Sequence, residues 1–309
     1  MTRVTVVIPT FRRPASFERA LRSIFSQTFT DFEIVAIDNS PEGSALEVCA
    51  RLAAEAPRPM RFAHESRPGV AYARNAAMRL VNTPLVAFLD DDEEAQPDWL
   101  EKLCAARAAM DAHVVWGPVR VKAPGSEDDA RATFVRQLFE RAGPSQDARI
   151  KDFHGIGNAL MVRQDLLFGD EPFPLASNEV GGEDDFIFAS AQARGLRFAW
   201  ASQAWVWEHV EESRMSVSYA LAKAFAFGQG PSSLAARDRN WPALARHLII
   251  GSGQATVYGV ASLCAVLFQT RQRYVLMGHA ARGLGKLIWW RELRFYGQAA
   301  IDEKCGTLS

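Results

Sequence analysis

The run LVAFLDDDEEAQPDWL, residues 85–100, places three consecutive carboxylates, Asp90, Asp91 and Asp92, directly after an apolar segment with strand character. Clustered carboxylate oxygens at the C-terminal end of a strand suit a hard divalent cation. A cation held there can neutralise a diphosphate. The chemistry this pattern favours is a reaction on a nucleotide-activated substrate. Three adjacent acids also repel one another, and a metal facing one or two of them resolves that conflict. Asp92 is the ligand this reading favours, with Asp90 turned towards a sugar or ribose. The competing reading is a solvated turn whose acids cap the helix that follows.

A second acidic cluster, Glu183, Asp184 and Asp185, follows Gly181-Gly182 in GGEDDF. Group transfer to a hydroxyl needs a base to take its proton, and Asp184 is the expected base. Helix capping accounts for any one of these acids but not for three in a row. Asp38 closes the segment AIDNS, where a carboxylate can accept from a base N–H or a ribose hydroxyl, or form an Asx-type turn. In ESRPGVAYARNAAM, Gly69 permits close approach of backbone to ligand. Arg74 and Asn75 follow one helical turn later, within reach of a phosphate, and Arg67 precedes them. His209, at the end of WVWEHV, is a candidate nitrogen ligand to Mg2+ or Mn2+, although a single histidine is more often structural. Trp116, Trp205 and Trp207 could stack on a sugar, although aromatics that alternate along strands usually belong to a core. His64, His113 and His154 show no partner spacing and carry no expectation.

These side chains need elements to hold them. VTVVIPT (4–10), FEIVAIDNS (32–40), MRFAHE (60–65), LVAFLD (85–90) and VVWGPVRV (114–121) read as strands by their apolar, β-branched content. Helical patterns lie between them: from about Ser16, which can cap the helix with Glu18 in its first turn, then over 42–56, 69–80 and 98–111. Residues 122–150 read as a loop with one helix around Phe134 to Phe139. Residues 153–167 read as a turn, an antiparallel strand and a short helix. A helix is expected over 181–195, stopped by Gly195, and two strand-like runs over 196–210. The fold class is therefore α/β, with a mostly parallel central sheet covered by helices on both faces. Such sheets bind ligands at the C-terminal ends of their strands, and Thr10, Asp38 and Asp90 all fall there. No GxGxxG follows the first strand, and no Walker A sequence occurs.

The chain has 309 residues and a formal net charge of -1, so no global basic field draws in nucleic acid. Its four cysteines, Cys49, Cys104, Cys264 and Cys305, form no CxxC pair, which argues against a thiolate zinc site or a disulfide framework. No basic-then-apolar leader precedes the first strand. The expected location is the cytosol and the cytoplasmic face of the inner membrane. Two domains are expected: a catalytic one over 1–215 and a helical C-terminal region over 216–309. Within the latter, 248–268 carries no charge and is long enough to cross a bilayer core. Residues 274–290 look like an interfacial amphipathic helix anchored by Trp289-Trp290. The region is expected to be peripheral or to supply one span.

The segments VVIPTFRR (6–13), AIDNS (36–40), RPGVAYARNAAM (67–78), FLDDDEEAQPDWL (88–100) and GGEDDF (181–186), in this order, resemble family 2 glycosyltransferases of the GT-A fold. EHVEESRMS (208–216) and the apolar C-terminal segments narrow the likeness to bacterial exopolysaccharide glucosyltransferases of the succinoglycan type. The resemblance implies a nucleoside-diphosphate sugar donor, by analogy UDP-linked, and Mg2+ or Mn2+ as cofactor. It implies that Pro9, Thr10, Arg12 and Asp38 surround the nucleotide, together with Gly69, Arg74 and Asn75. Asp90 and Asp92 are then the ends of a DxD element with Asp91 between them, Asp184 the base, and His209 a metal ligand. The acceptor implied is a saccharide or polyprenyl-linked oligosaccharide. Attack from the face opposite the leaving group inverts the anomeric centre, and residues 122–150 would supply a closing loop. GGEDDF is one position shorter than the usual acidic motif, which leaves Asp185 as a competing base. The rival readings are a sugar-phosphate nucleotidyltransferase, a non-catalytic sugar-binding protein and a processive synthase. FRRPASFERA lacks the glycines a triphosphate loop needs, and no QxxRW-like element is evident for a synthase.

Overall fold

The computed structural model describes residues 3–122, 130–175, 182–211, 214–291 and 293. Gly181, Cys305, residues 212–213 and residues 123–129 of the expected closing loop lie outside the described residues. The chain divides into two compact units. Described residues of the first lie within 3–120 and 141–209, and those of the second within 121–140 and 210–293.

The first unit is built on an eight-stranded sheet. Its strands are β1 (Val4–Thr10), β2 (Phe32–Asp38), β3 (Met60–His64), β4 (Leu85–Phe88), β6 (Val114–Trp116), β8 (Ala148–Ile150), β9 (Ala159–Val162) and β10 (Phe198–Trp200), in the order β3-β2-β1-β4-β9-β6-β10-β8. β3, β2, β1 and β4 run parallel, as do β6 and β10; β9 is antiparallel to both β4 and β6. Alternate residues of the strands point to opposite faces, and each face has its own core. On one side Val4, Val6, Ile8, Ile34 and Ala36 pack with α1 (Pro14–Phe25), α2 (Leu46–Glu55) and α4 (Trp99–Met110). On the other Val7, Val35, Ile37, Val86 and Phe88 pack with α3 (Val70–Met78) and α7 (Glu183–Ala193). The short helix α6 (Arg163–Leu166) follows β9 directly.

Three local departures from the sequence reading have physical causes. α1 begins at Pro14, whose missing N–H suits the first helical position, so Ser16 lies inside the first turn and accepts from Arg19 at 2.7 Å. The run 114–121 is not one strand. It breaks at Gly117-Pro118, where a β-carbon on Gly117 would fall 1.9 Å from the Ala204 carbonyl oxygen. The chain resumes as β7 (Val119–Lys122) in a second, three-stranded sheet of order β5-β11-β7. The acidic run after Asp92 forms β5 (Glu93–Ala95), antiparallel to β11 (Val206–His209). Its acids hide it from a reading based on apolar alternation.

The second unit is helical: α5 (Ala130–Phe139), α8 (Val217–Arg237), α9 (Trp241–Leu267) and α10 (Arg273–Leu287). Ser216 caps α8 by accepting from Tyr219 N at 3.1 Å, and Asn240 caps α9 by accepting from Ala243 N at 3.2 Å. Glycines set the spacing. A β-carbon on Gly228 would lie 2.2 Å from Arg282 O, and one on Gly285 would lie 2.1 Å from Phe225 O. Here α8 and α10 touch backbone to backbone. The buried Gln229 amide donates to Ile288 O at 2.8 Å and Arg291 O at 2.7 Å, satisfying carbonyls just past the end of α10.

Candidate active site

The C-terminal ends of β1, β2 and β4 converge at one edge of the main sheet, with Thr10 in register with Asp38. Thr10 Oγ donates to Asp91 at 2.7 Å. The Arg13 guanidinium donates to Asp91 at 3.2 Å and to Asp92 at 2.9 Å. Burial and the neighbouring Asp92 push the Asp91 carboxyl up to about 7, against the pull of Arg13 and Thr10. Asp90 is likewise raised, by burial and by Asp92 and Asp184, with Arg74 and Arg141 opposing. Pro9 sits in β1 one residue before Thr10. Arg12 turns outward with φ 55° and pairs with Glu42 at 2.7 Å on the surface. Arg13, the next residue, carries no expectation, yet it rather than Arg12 lies against Asp91 and Asp92.

Asp38 is wholly buried. Its carboxylate accepts from Ser40 N at 2.9 Å, Ser40 Oγ at 2.7 Å and Ala45 N at 2.6 Å, which fixes the turn leading into α2. The neighbouring Asn39 ties down the next loop. It donates to Glu65 O at 3.0 Å and Arg67 O at 2.7 Å and accepts from Gly69 N at 2.7 Å. Gly69 has φ 142°, a conformation open to glycine and costly to other residues, and it starts α3. Arg67 stacks on Tyr72 and pairs with Glu65 at 2.8 Å.

Two residues of α3 reach across to the second acidic cluster. Asn75 clamps Phe173, donating to its carbonyl and accepting from its N–H, both at 2.9 Å. The buried Arg74 donates to Glu183 in the first turn of α7 and faces Asp90 at 3.9 Å. The loop 155–157 completes the link. Ile156 N donates to Asp184 Oδ2 at 2.9 Å, while a β-carbon on Gly157 would fall 2.6 Å from Asp90 Oδ2. The two acidic clusters, far apart in sequence, thus flank one tripeptide. Arg141 donates to Gly157 O at 2.6 Å behind it. Burial holds its pKa below the ordinary value, against the raising effect of Glu93, Asp90, Glu208 and Asp184. Arg141, like Arg13, carries no local sequence signal, because its acidic neighbours are assembled by the fold.

Asp184 Oδ1 accepts from Asp185 N at 3.0 Å. Asp185 lies beside it, and burial together with the Asp184 charge pushes its carboxyl up to about 6. His209 N donates to Asp92 O at 2.8 Å, and its Nε2 lies 2.6 Å from Glu94 Oε2. Opposed residues of an antiparallel pair share a face, so Asp92, Glu94 and His209 lie on one side of the small sheet. Trp207 is opposite Glu94 on that side, edge-on to Trp205, while Trp116 is fully buried in the main core.

Among the described residues no group of three or more His, Cys, Asp or Glu side chains is already gathered around a cation-sized centre. The donor set nevertheless fits a hard divalent ion. Carboxylate oxygens dominate it, and Asp90 and Asp91 are held above their ordinary range first by burial and then by the neighbouring Asp92, whose charge a cation would offset.

Three known proteins resemble this chain along most of its length. The succinoglycan biosynthesis protein ExoM of Rhizobium meliloti (strain 1021) is 26% identical over 96% of this chain and 97% of its own length. The GalNAc(5)-diNAcBac-PP-undecaprenol beta-1,3-glucosyltransferase of Campylobacter jejuni is 30% identical over 73% of this chain and 64% of its own. The mannosyltransferase PcManGT from Pyrobaculum calidifontis, solved in complex with GDP-Man and Mn2+, shares the fold with a TM-score of 0.59. It is 20% identical over 94% of this chain and 88% of its own. The glycosyl transferase family 2 model matches residues 5–168, which contain β1 to β4, the three aspartates and the 155–157 loop. With a GT-A nucleotide-diphospho-sugar transferase fold carrying these acids at its strand ends, the chain belongs to glycosyl transferase family 2.

Proposed function

We propose that this glycosyltransferase is an inverting, metal-dependent hexosyltransferase. It moves a sugar from a nucleoside-diphosphate donor to a saccharide or polyprenyl-linked oligosaccharide during cell-surface polysaccharide synthesis. The observation that carries the reading is the 155–157 loop, with Asp184 bonded to Ile156 N and Asp90 packed on Gly157. It supports a single cleft with carboxylates on two sides. In this reading Pro9, Thr10, Asp38, Gly69 and Asn75 shape the nucleotide pocket with Arg12. Arg74 holds Glu183, and with it the first turn of α7, against Asp90. Asp92 and His209 would hold Mg2+ or Mn2+, which when bound neutralises the departing diphosphate.

Asp184 takes the proton of the acceptor hydroxyl as that oxygen attacks the anomeric carbon. Backbone N–H groups on both of its oxygens fix its direction. A single displacement from the far face leaves the product with inverted configuration. Asp185 is the competing base, and it differs in making no bond to the 155–157 loop among those described. UDP is the donor nucleotide this reading favours. The chemistry belongs to residues 1–215, and residues 216–309 hold the enzyme at the cytoplasmic face of the inner membrane. The names of the R. meliloti and C. jejuni relatives support the polysaccharide setting and the lipid-linked acceptor.

The test pairs two measurements on Asp184→Asn: donor binding with Mn2+ across a panel of UDP- and GDP-sugars, and product formation on membrane lipid extract. Binding is expected to stay within a few-fold of wild type while transfer falls by about 10²–10⁴-fold. Loss of both together would make Asp184 a ligand or a structural group. Loss of transfer in Asp185→Asn alone would move the base to the next residue.

A further inference from the structure

Helix α9 is 27 residues long and, among the described residues, is the one helix apolar and long enough to cross a membrane. Ile249, Val257, Val260, Leu263 and Leu267 recur along one side of it at exposures of 74, 64, 58, 66 and 79%. No charged residue stands between His247 and Arg271. An apolar stripe of this size needs a partner.

Its packing argues against a span. α10 runs antiparallel beside α9. A β-carbon on Gly251 would meet Lys286 Cβ at 2.8 Å, one on Gly283 would meet Ala255 N at 2.5 Å, and the tilted rings of Tyr258 and His279 lie 4.8 Å apart. The exposed Arg282 is therefore level with the middle of α9, and Lys286 and His279 lie one turn to either side. If α9 crossed a bilayer, α10 would go with it, and Arg282 would sit near the midplane. A cation there is costly. Lying flat, the same helix puts its stripe among acyl chains and leaves Arg282 and Lys286 at headgroup level.

The charge of these helices names the surface. From Val217 to Leu287 there are eight Lys and Arg residues against one acid, Asp238, in a chain whose totals are 35 and 36. The basic groups crowd one another. Burial, then Arg246 and Lys286, hold His247 below its ordinary value, and burial, then Arg282, does the same to His279 and Lys286. A second copy of this chain would set the basic groups at the ends of the stripe against like charges. A neutral surface would offer no counter-charge to Arg246, Arg282 and Lys286.

Resting on the membrane association proposed above, we infer that α9 lies in the plane of an anionic phospholipid surface, stripe inward, with Arg246, Arg282 and Lys286 on the headgroups, and does not span. The full chain is sedimented with vesicles of phosphatidylcholine alone or mixed with phosphatidylglycerol. Binding is expected only to the mixed vesicles and should be reversed by salt. Arg246→Gln with Arg282→Gln should weaken it about 30-fold while leaving release of nucleotide from the sugar donor unchanged. With Cys264→Ser and Cys305→Ser as background, spin labels at Ile249→Cys, Val257→Cys and Leu267→Cys should report equal depth.

Equal binding to both vesicles, or an unchanged affinity in the double variant, overturns the anionic surface. Val257 deeper than both ends, with resistance to alkaline extraction, overturns the in-plane helix. Either result leaves membrane association standing. No binding to any vesicle, or a dimer that masks the labels, removes membrane association as well.

Discussion

His154 sits between two indoles, with ring centroids 5.9 Å from Trp116 and 5.4 Å from Trp200. Burial, then the Arg141 charge, lowers its pKa from 6.5 to about 4. The unfolded chain thus binds more protons than the folded one between those values. The stability this group contributes is complete above pH 6.5 and lost as pH falls towards 4. His154→Phe keeps an aromatic ring in the slot and should flatten that loss by on the order of 2 kcal/mol, discounted for partial exposure. Urea midpoints at pH 7 and pH 4.5 measure it. Burial lowers the pKa of Arg141 as well, but Glu93, Asp90, Glu208 and Asp184 around it oppose that effect. Arg141→Met should cost about 3 kcal/mol, because the buried acids around it lose one of their counter-charges. Adding Glu93→Gln should recover part of it in a double-mutant cycle. At this scale the sequence displays the acids, since runs such as DDD and EDD announce themselves. It hides Arg13 and Arg141, since an arginine beside acids brought in by the fold looks like any surface arginine.

At the scale of elements, α9 and α10 offer a matched pair of substitutions. A β-carbon on Gly253 would touch nothing within 4 Å, so Gly253→Ala should stabilise the helix by about 1 kcal/mol. On Gly283 it would meet the backbone of α9 at 2.5 and 2.8 Å, so Gly283→Ala should force the helices apart at a cost of about 1–3 kcal/mol. Thermal unfolding followed by circular dichroism should show the two shifts in opposite directions. Periodicity makes most elements legible: β1 matches the run 4–10, and α3, α4 and α7 end within about two residues of their expected limits. It fails where tertiary contact overrides pattern. The break at Gly117-Pro118 exists because the Ala204 carbonyl occupies the space beside Gly117. β5 forms from Glu93, Glu94 and Ala95 because β11 and the arginine behind it accept acids there.

For the whole molecule, the alternation of strands and helices foretells the α/β class, while the two acidic motifs, far apart in sequence, come to flank the 155–157 loop. Which strand stands next to which is not foretold, since pairing is decided by contacts far apart in the chain. The sheet order records a history as well as a shape. β4 ends at Phe88 and β6 at Trp116, yet the strand that lies between them is β9, residues 159–162. A ribosome therefore releases both flanks of the sheet's centre before the piece that closes them. Until then each flank offers an open row of backbone donors and acceptors to whatever passes. The Arg74–Glu183 contact and the Ile156–Asp184 bond come later still. A half-made chain is thus sticky, and the contacts that join the two acidic clusters wait until α7 has followed β9 out of the ribosome.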